Sequence, residues 1–162
     1  MTEAFREYLH RLRKLTEKLE ESEAALEELW AVCTKVTAGF DRVGSSGGGG
    51  DAKDGSLAAY ADLTGKREAD ERMRRETEHE LAAFLDAVEG AAGEHGKRDA
   101  LILRERYLRC RGWQRVMDEL IGKGYSCKSL RTVFKWHLGA VERAEKIWEE
   151  TCHEQGNNPA GT

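Results

Sequence analysis

Lys128, Arg131, Thr132, Lys135 and Lys146 lie close together near the end of the chain, and Arg111 and Arg115 stand a short way upstream. Side chains of these types break no bonds by themselves; they bind anions. Lysine meets a phosphate as a point charge, and arginine offers a planar fork that bonds two acceptors at once, such as O6 and N7 of guanine. On a helical wheel Lys128, Arg131, Thr132, Lys135, Gly139, Arg143 and Lys146 share one face. Leu130, Val133, Phe134, His137, Val141, Ala144 and Trp148 share the other. The pattern predicts a helix with a packing side and a cationic side, of a size that fits the major groove of B-form DNA. There Arg131 would contact guanine and Thr132 a thymine methyl, while Lys128, Lys135 and Lys146 neutralise phosphates. Arg111 and Arg115 would grip the backbone from the preceding elements. Ser129 joins this candidate contact set and, like Ser126, is also able to cap the helix by accepting from its free backbone amides. Plainer roles exist for the same residues. Outward lysines and arginines are often merely solvated, His137 is expected as a packed, hydrogen-bonded core residue, and Trp136, on the border, is expected to cover the core.

Charge is distributed unevenly enough to matter. The chain has 162 residues and a net charge of -4, yet Lys97 to Lys146 holds thirteen basic against six acidic side chains. The remainder is strongly acidic, which suggests two parts with two jobs, the C-terminal one suited to a polyanion. Other functions lack their signatures. Cys33, Cys110, Cys127 and Cys152 are far apart, with no Cys-x-x-Cys pair and no Cys/His set for zinc, so free thiols in a reducing compartment are expected. No paired carboxylates, nucleophile motif or metal set can be assembled, so neither an enzyme nor a bound cofactor is expected. The charged N-terminus is no secretory signal, and no apolar run approaches the roughly 20 residues of a membrane span. A soluble, intracellular protein is the expectation.

The elements that must position these residues are all helical. The single proline is Pro159, and alternating runs of valine, isoleucine and threonine are absent, so the class is all-α. From Ala4 to Thr37, Phe5, Leu9, Leu12, Leu19, Leu26, Trp30 and Cys33 recur at coiled-coil spacing, with Thr16 and Glu23 interrupting the seam. A second pattern from Leu57 to Ala92 carries Tyr60, Leu63, Leu81, Phe84 and Val88 around a polar middle of Arg67, Asp70, Arg74 and Thr77. Glycines at 44–51 make a loop between them, without the strand and lysine context of a phosphate cradle. Folded back, residues 1–93 form a long antiparallel, coiled-coil-like helical hairpin with Glu23 near the arginines of the second helix. Such a hairpin is either a stalk or an arm for homodimerisation or partner docking.

Three glycines between Gly90 and Gly96 end the second pattern, and residues 97–150 then read as a helix-turn-helix. Ala100–Leu108 is a short helix, Gly112 a cap position before Trp113, Val116, Met117 and Leu120, and Gly122 an end. Residues 151–162 are expected as a flexible tail.

These last segments resemble a family. Arg106-Tyr107-Leu108 followed by Trp113 and Val116 looks like the lead-in of the sigma-factor region-four-like helix-turn-helix in a group of short bacteriophage and prophage proteins. Thr132-Val133-Phe134-Lys135-Trp136-His137, with Ala140 and Val141, is similar to that group's recognition helix. Thr34-Lys35-Val36-Thr37 leading into a glycine-rich loop and a second long helix matches its layout. The family is of unknown function and related to phage late-transcription regulators. The resemblance therefore implies double-stranded DNA as partner, control of phage genes in the cytoplasm of a bacterial host, Thr132 and Lys135 facing the groove, and Trp113 and His137 in structural roles. This chain departs from the pattern in a longer turn after Leu120 and in Gly112 where a serine cap is customary. The competing expectations are a module binding RNA polymerase or another acidic host protein, and a phage DNA-packaging subunit.

Overall fold

The structure, a computed structural model, describes residues 1–40, 50–91 and 93–156, with side chains for 1–35, 55–91 and 93–151. Helices α1 (Glu3–Phe40) and α2 (Gly50–Ala91) are followed by a 3-10 turn (Gly93–His95), then α3 (Gly96–Leu103), which runs straight into a π turn (Arg104–Leu108). Helices α4 (Trp113–Gly122) and α5 (Leu130–Gly156) complete the chain. There is no strand among the described residues, and the class is all-α. None of the helices there is long and apolar enough to cross a membrane.

Thr2 starts α1, its carbonyl accepting from the Arg6 amide at 3.1 Å and its hydroxyl from the Phe5 amide at 3.4 Å. Helix α2 begins at Gly50, earlier than the apolar pattern indicates, so the end of the expected glycine loop is helical. The rest of that loop, 44–49, lies outside the described residues. Helix α5 likewise runs to Gly156, past 150 where the tail was expected, and 157–162 lie outside the described residues.

The chain divides into two compact units, and the division cuts through the two long helices. Within Lys14–Arg75 the helices run antiparallel, since partners on α2 descend as those on α1 ascend: Lys18 with Asp70 at 2.8 Å, Glu23 with Arg67 at 3.4 Å, and the rings of Trp30 and Tyr60 with centroids 5.8 Å apart. Leu15, Leu26 and Asp70 are buried here. Trp30, expected in the seam, is instead 56% exposed, because a pair of helices covers only one side of so large a ring.

The other unit, Met1–Arg13 with Glu76–Thr162, has a sealed core. Phe5, Leu9 and Leu12 of α1 and Leu81, Leu85 and Val88 of α2 pack with Leu103, Tyr107, Ala140, Val141 and Ala144. Small Ala140 and Ala144 let α5 approach closely. Tyr8, Phe84 and Trp148 extend the cluster around Phe5, with ring centroids 5.5 to 6.3 Å apart. A second cluster, Ile102, Val116, Leu120, Cys127 and Val133, ties α3, α4 and α5 together under Trp113, Tyr125 and Trp136. Two glycines shape the junction before α3. Gly93 takes φ +58, and a Cβ on Gly96 would stand 2.1 Å from the Glu89 carbonyl oxygen, so only glycine fits there.

Candidate nucleic-acid interface

The backbone that presents α5 is set by local chemistry. Gly112 occupies the N-cap of α4 in extended conformation (φ -69, ψ 158), and its carbonyl accepts from Val116 at 3.1 Å. At the other end Gly124 adopts φ +86, which lets its amide reach the Ile121 carbonyl at 2.9 Å and the Tyr125 amide reach Leu120 at 3.0 Å. This paired closure stops α4 and turns the chain. Cys127 then enters the core, and Ser129 begins α5, its hydroxyl within 3.4 Å of the Thr132 amide and 3.3 Å of the Thr132 hydroxyl. Ser129 is thus the capping serine, and Thr132 spends its hydroxyl on that cap.

Buried carboxylates fix the helices from within. Asp99 is fully buried, held by Arg143 Nε at 2.6 Å, with Arg98 Nη2 at 3.5 Å. Arg98 also lies over the Trp136 ring, 4.7 Å from its centroid. Glu105 is 1% exposed and receives Arg109 at 2.6 Å and, as an ion pair without hydrogen-bond alignment, Arg111 at 2.9 Å. Arg111 lies 3.6 Å from Glu119 as well, and its carbonyl accepts from Arg106, whose guanidinium covers Trp113 at 4.7 Å. Arg104 pairs with Asp86 and Glu89.

His137 sits inside this frame. Its Nε2 is 2.9 Å from the Tyr107 hydroxyl and its ring meets Trp113 edge-on at 4.8 Å. Burial pushes its pKa from 6.5 down to about 4, with further lowering by the charges of Arg106 and His10. Burial also raises the Tyr107 phenol, so the phenol donates to a neutral imidazole at neutral pH.

The sequence-derived contact residues separate accordingly. Arg115, Lys128, Arg131, Lys135 and Lys146 are exposed and have no ion-pair partner among the described residues. Arg111 is half-buried, and its charge is taken up by Glu105 and Glu119. Two placements from the wheel need correction. Arg143, set on the open cationic face, is turned to Asp99, a partner on α3 that a wheel of α5 alone does not show. Phe134, set on the packing face, is 41% exposed, and Leu138 beyond it is 63% exposed. The buried side of α5 is centred on Val133, Ala140 and Ala144, which leaves Phe134 at its edge with its ring across Trp113 at 4.9 Å. Sequence reasoning missed the two carboxylates at the heart of the site. The i to i+4 spacing of Glu105 and Arg109 was the available signal for one of them.

Among the described residues no group of three His, Cys, Asp or Glu side chains is placed to hold a metal ion. No protein-family profile, curated protein or solved structure matches the chain.

Proposed function

We propose that the protein is a double-stranded-DNA-binding transcriptional regulator of phage type, with α4 and α5 as a helix-turn-helix and the N-terminal half of α5 in the major groove. One observation carries this reading: the region's arginines are sorted by use. Arg98, Arg104, Arg106, Arg109, Arg111 and Arg143 are each engaged by a carboxylate or an aromatic ring of the protein itself. Arg115, Lys128, Arg131 and Lys135, on α4 and around the start of α5, keep their charge for something outside. A fold that neutralised its cations indiscriminately would not leave these. The resemblance to phage proteins supports the regulatory part of the reading. Arg115, Lys128, Lys135 and Lys146 are the phosphate contacts and Arg131 the base contact.

A mobility-shift titration tests it. With about four phosphates neutralised, log K for duplex DNA should fall with log salt at a slope of about -3 to -4, and a flat response overturns the reading. Arg131→Ala should cost about 1 to 3 kcal/mol and relax preference at one position.

The exposed Phe134 and Leu138 favour a second reading, in which the same face docks an acidic, partly apolar protein surface such as one on RNA polymerase. Protein that ignores DNA but retains such a partner through α5 would establish it. For Lys14–Arg75, where Trp30 stays exposed, the proposal is an arm that pairs with a second copy of the chain, which light scattering would detect as a dimer.

A further inference from the structure

Four residues of α5 form one outward stripe: Arg131, Phe134, Lys135 and Leu138, at spacings of three, four and seven. At 1.5 Å per residue the stripe is about 10 Å long, close to three base-pair steps. Its composition is unusual for a solvated face. Phe134 and Leu138 are 41% and 63% exposed, while the cations beside them have no counter-charge among the described residues. A purely apolar partner would bury Arg131 and Lys135 unpaired, which is costly, and a purely ionic one would leave Phe134 and Leu138 facing polar groups. The matching surface is anionic with isolated apolar spots. In the major groove that description has one chemical meaning, because the thymine 5-methyl is the apolar group that base edges present there.

We infer that Phe134 and Leu138 are thymine-methyl readers, so that the preferred site places thymines under the first third of α5 while Arg131 and Lys135 hold the stripe against guanine and phosphate. This rests on the DNA-binding reading and extends it to sequence preference. Phe134 is held for the purpose, since its ring meets Trp113 nearly perpendicularly, at 80°.

The test uses the full chain and two forms of one duplex. Sequences bound from a random duplex pool are resynthesised with deoxyuridine in place of thymidine, which deletes the 5-methyl and leaves the pairing edges intact. Each contacted methyl should be worth about fourfold in affinity, so with one methyl under each of the two side chains the thymine duplex should bind about fifteenfold tighter than its uracil twin. Phe134→Ala with Leu138→Ala should abolish that preference while salt-dependent binding persists. Both side chains are exposed enough that the variant should fold, which its helical circular dichroism and melting temperature would confirm. Equal binding of the two duplexes with a steep salt response overturns the inference and leaves DNA binding standing. A preference that survives in the double variant also overturns it, because other groups then read the methyls. Failure to bind either duplex overturns the underlying reading and the inference with it.

Discussion

Around Phe5, Leu81 and Ala144 side chains are withdrawn from solvent almost completely, whereas between Lys14 and Arg75 the best-covered leucines, Leu15 and Leu26, keep 9% and 8% of their exposure. Asp70 is as deeply placed as they are, and the helices meet through Lys18–Asp70 and Glu23–Arg67. Residues Met1–Arg13 and Glu76–Ala91 of these helices therefore contribute to a hydrophobic core, whereas within Lys14–Arg75 they meet mainly through polar cross-links. Glu23–Arg67 is exposed on both sides and Lys18–Asp70 on its lysine side, and ion pairs so open to solvent contribute little, with a median of about 0 to 1 kcal/mol, so stability should be concentrated in the sealed unit. The paired stretch is left with surface for other uses.

Mutations can break that comparison. Phe5→Ala opens a cavity among Tyr8, Phe84 and Trp148 and should cost about 3 to 5 kcal/mol, while Leu26→Ala, at a site that keeps 8% of its exposure, should cost about 2, the low end for a buried leucine. Urea unfolding followed by circular dichroism measures both, and equal costs would refute the contrast. Next in size is Arg143→Met, which removes the closest partner of buried Asp99 and should cost about 3 kcal/mol. Arg67→Met, releasing the exposed Glu23, should stay within about 1 kcal/mol in the same measurement.

Acid sharpens the contrast further. His137 has its pKa lowered to about 4 in the folded state, below the ordinary 6.5, so the unfolded chain takes up the proton first as pH falls. Its contribution is fully present above about pH 7 and is lost progressively between about 6.5 and 4. The loss is on the order of 2 kcal/mol, allowing for the solvent that still reaches the ring. His137→Gln, which keeps an acceptor for Tyr107, should be less pH-dependent across that window, and an identical slope would exclude the mechanism. An effect as small as that of Arg67→Met belongs to Cys110, which follows the π turn at φ +53. There Cys110→Gly should raise stability by up to about 1 kcal/mol, read as a modest gain in melting temperature.

Much of the fold was legible because it is encoded by near neighbours. The absence of interior prolines and of alternating strands gives the all-α class. Gly112 and Ser129 announce helix starts through capping chemistry that involves only the next few residues. The wheel of α5 likewise found Val133, Val141 and Ala144, which are buried. What stayed hidden depends on other helices. Arg143 reads as an outward cation until Asp99 is brought to it from α3, and Arg111 as a phosphate clamp until the π turn delivers Glu105. Trp30 and Phe134 are apolar in type, so a pattern of types places them inside, yet no element covers them fully. In the candidate site, then, which cations exist was readable, and which of them are free was not.

The π turn also bears on how this gene can drift. Between Arg104 and Leu108 the ladder closes over five residues, with the Arg109 amide on the Arg104 carbonyl at 2.8 Å. Loss of one codon there would restore ordinary helical winding but swing everything after it by about 100°. Glu105 and the arginines that answer it would no longer share a side. Lineages descending from this sequence should accordingly exchange residue types along α3 and α4 while keeping the number of residues from 104 to 112 constant.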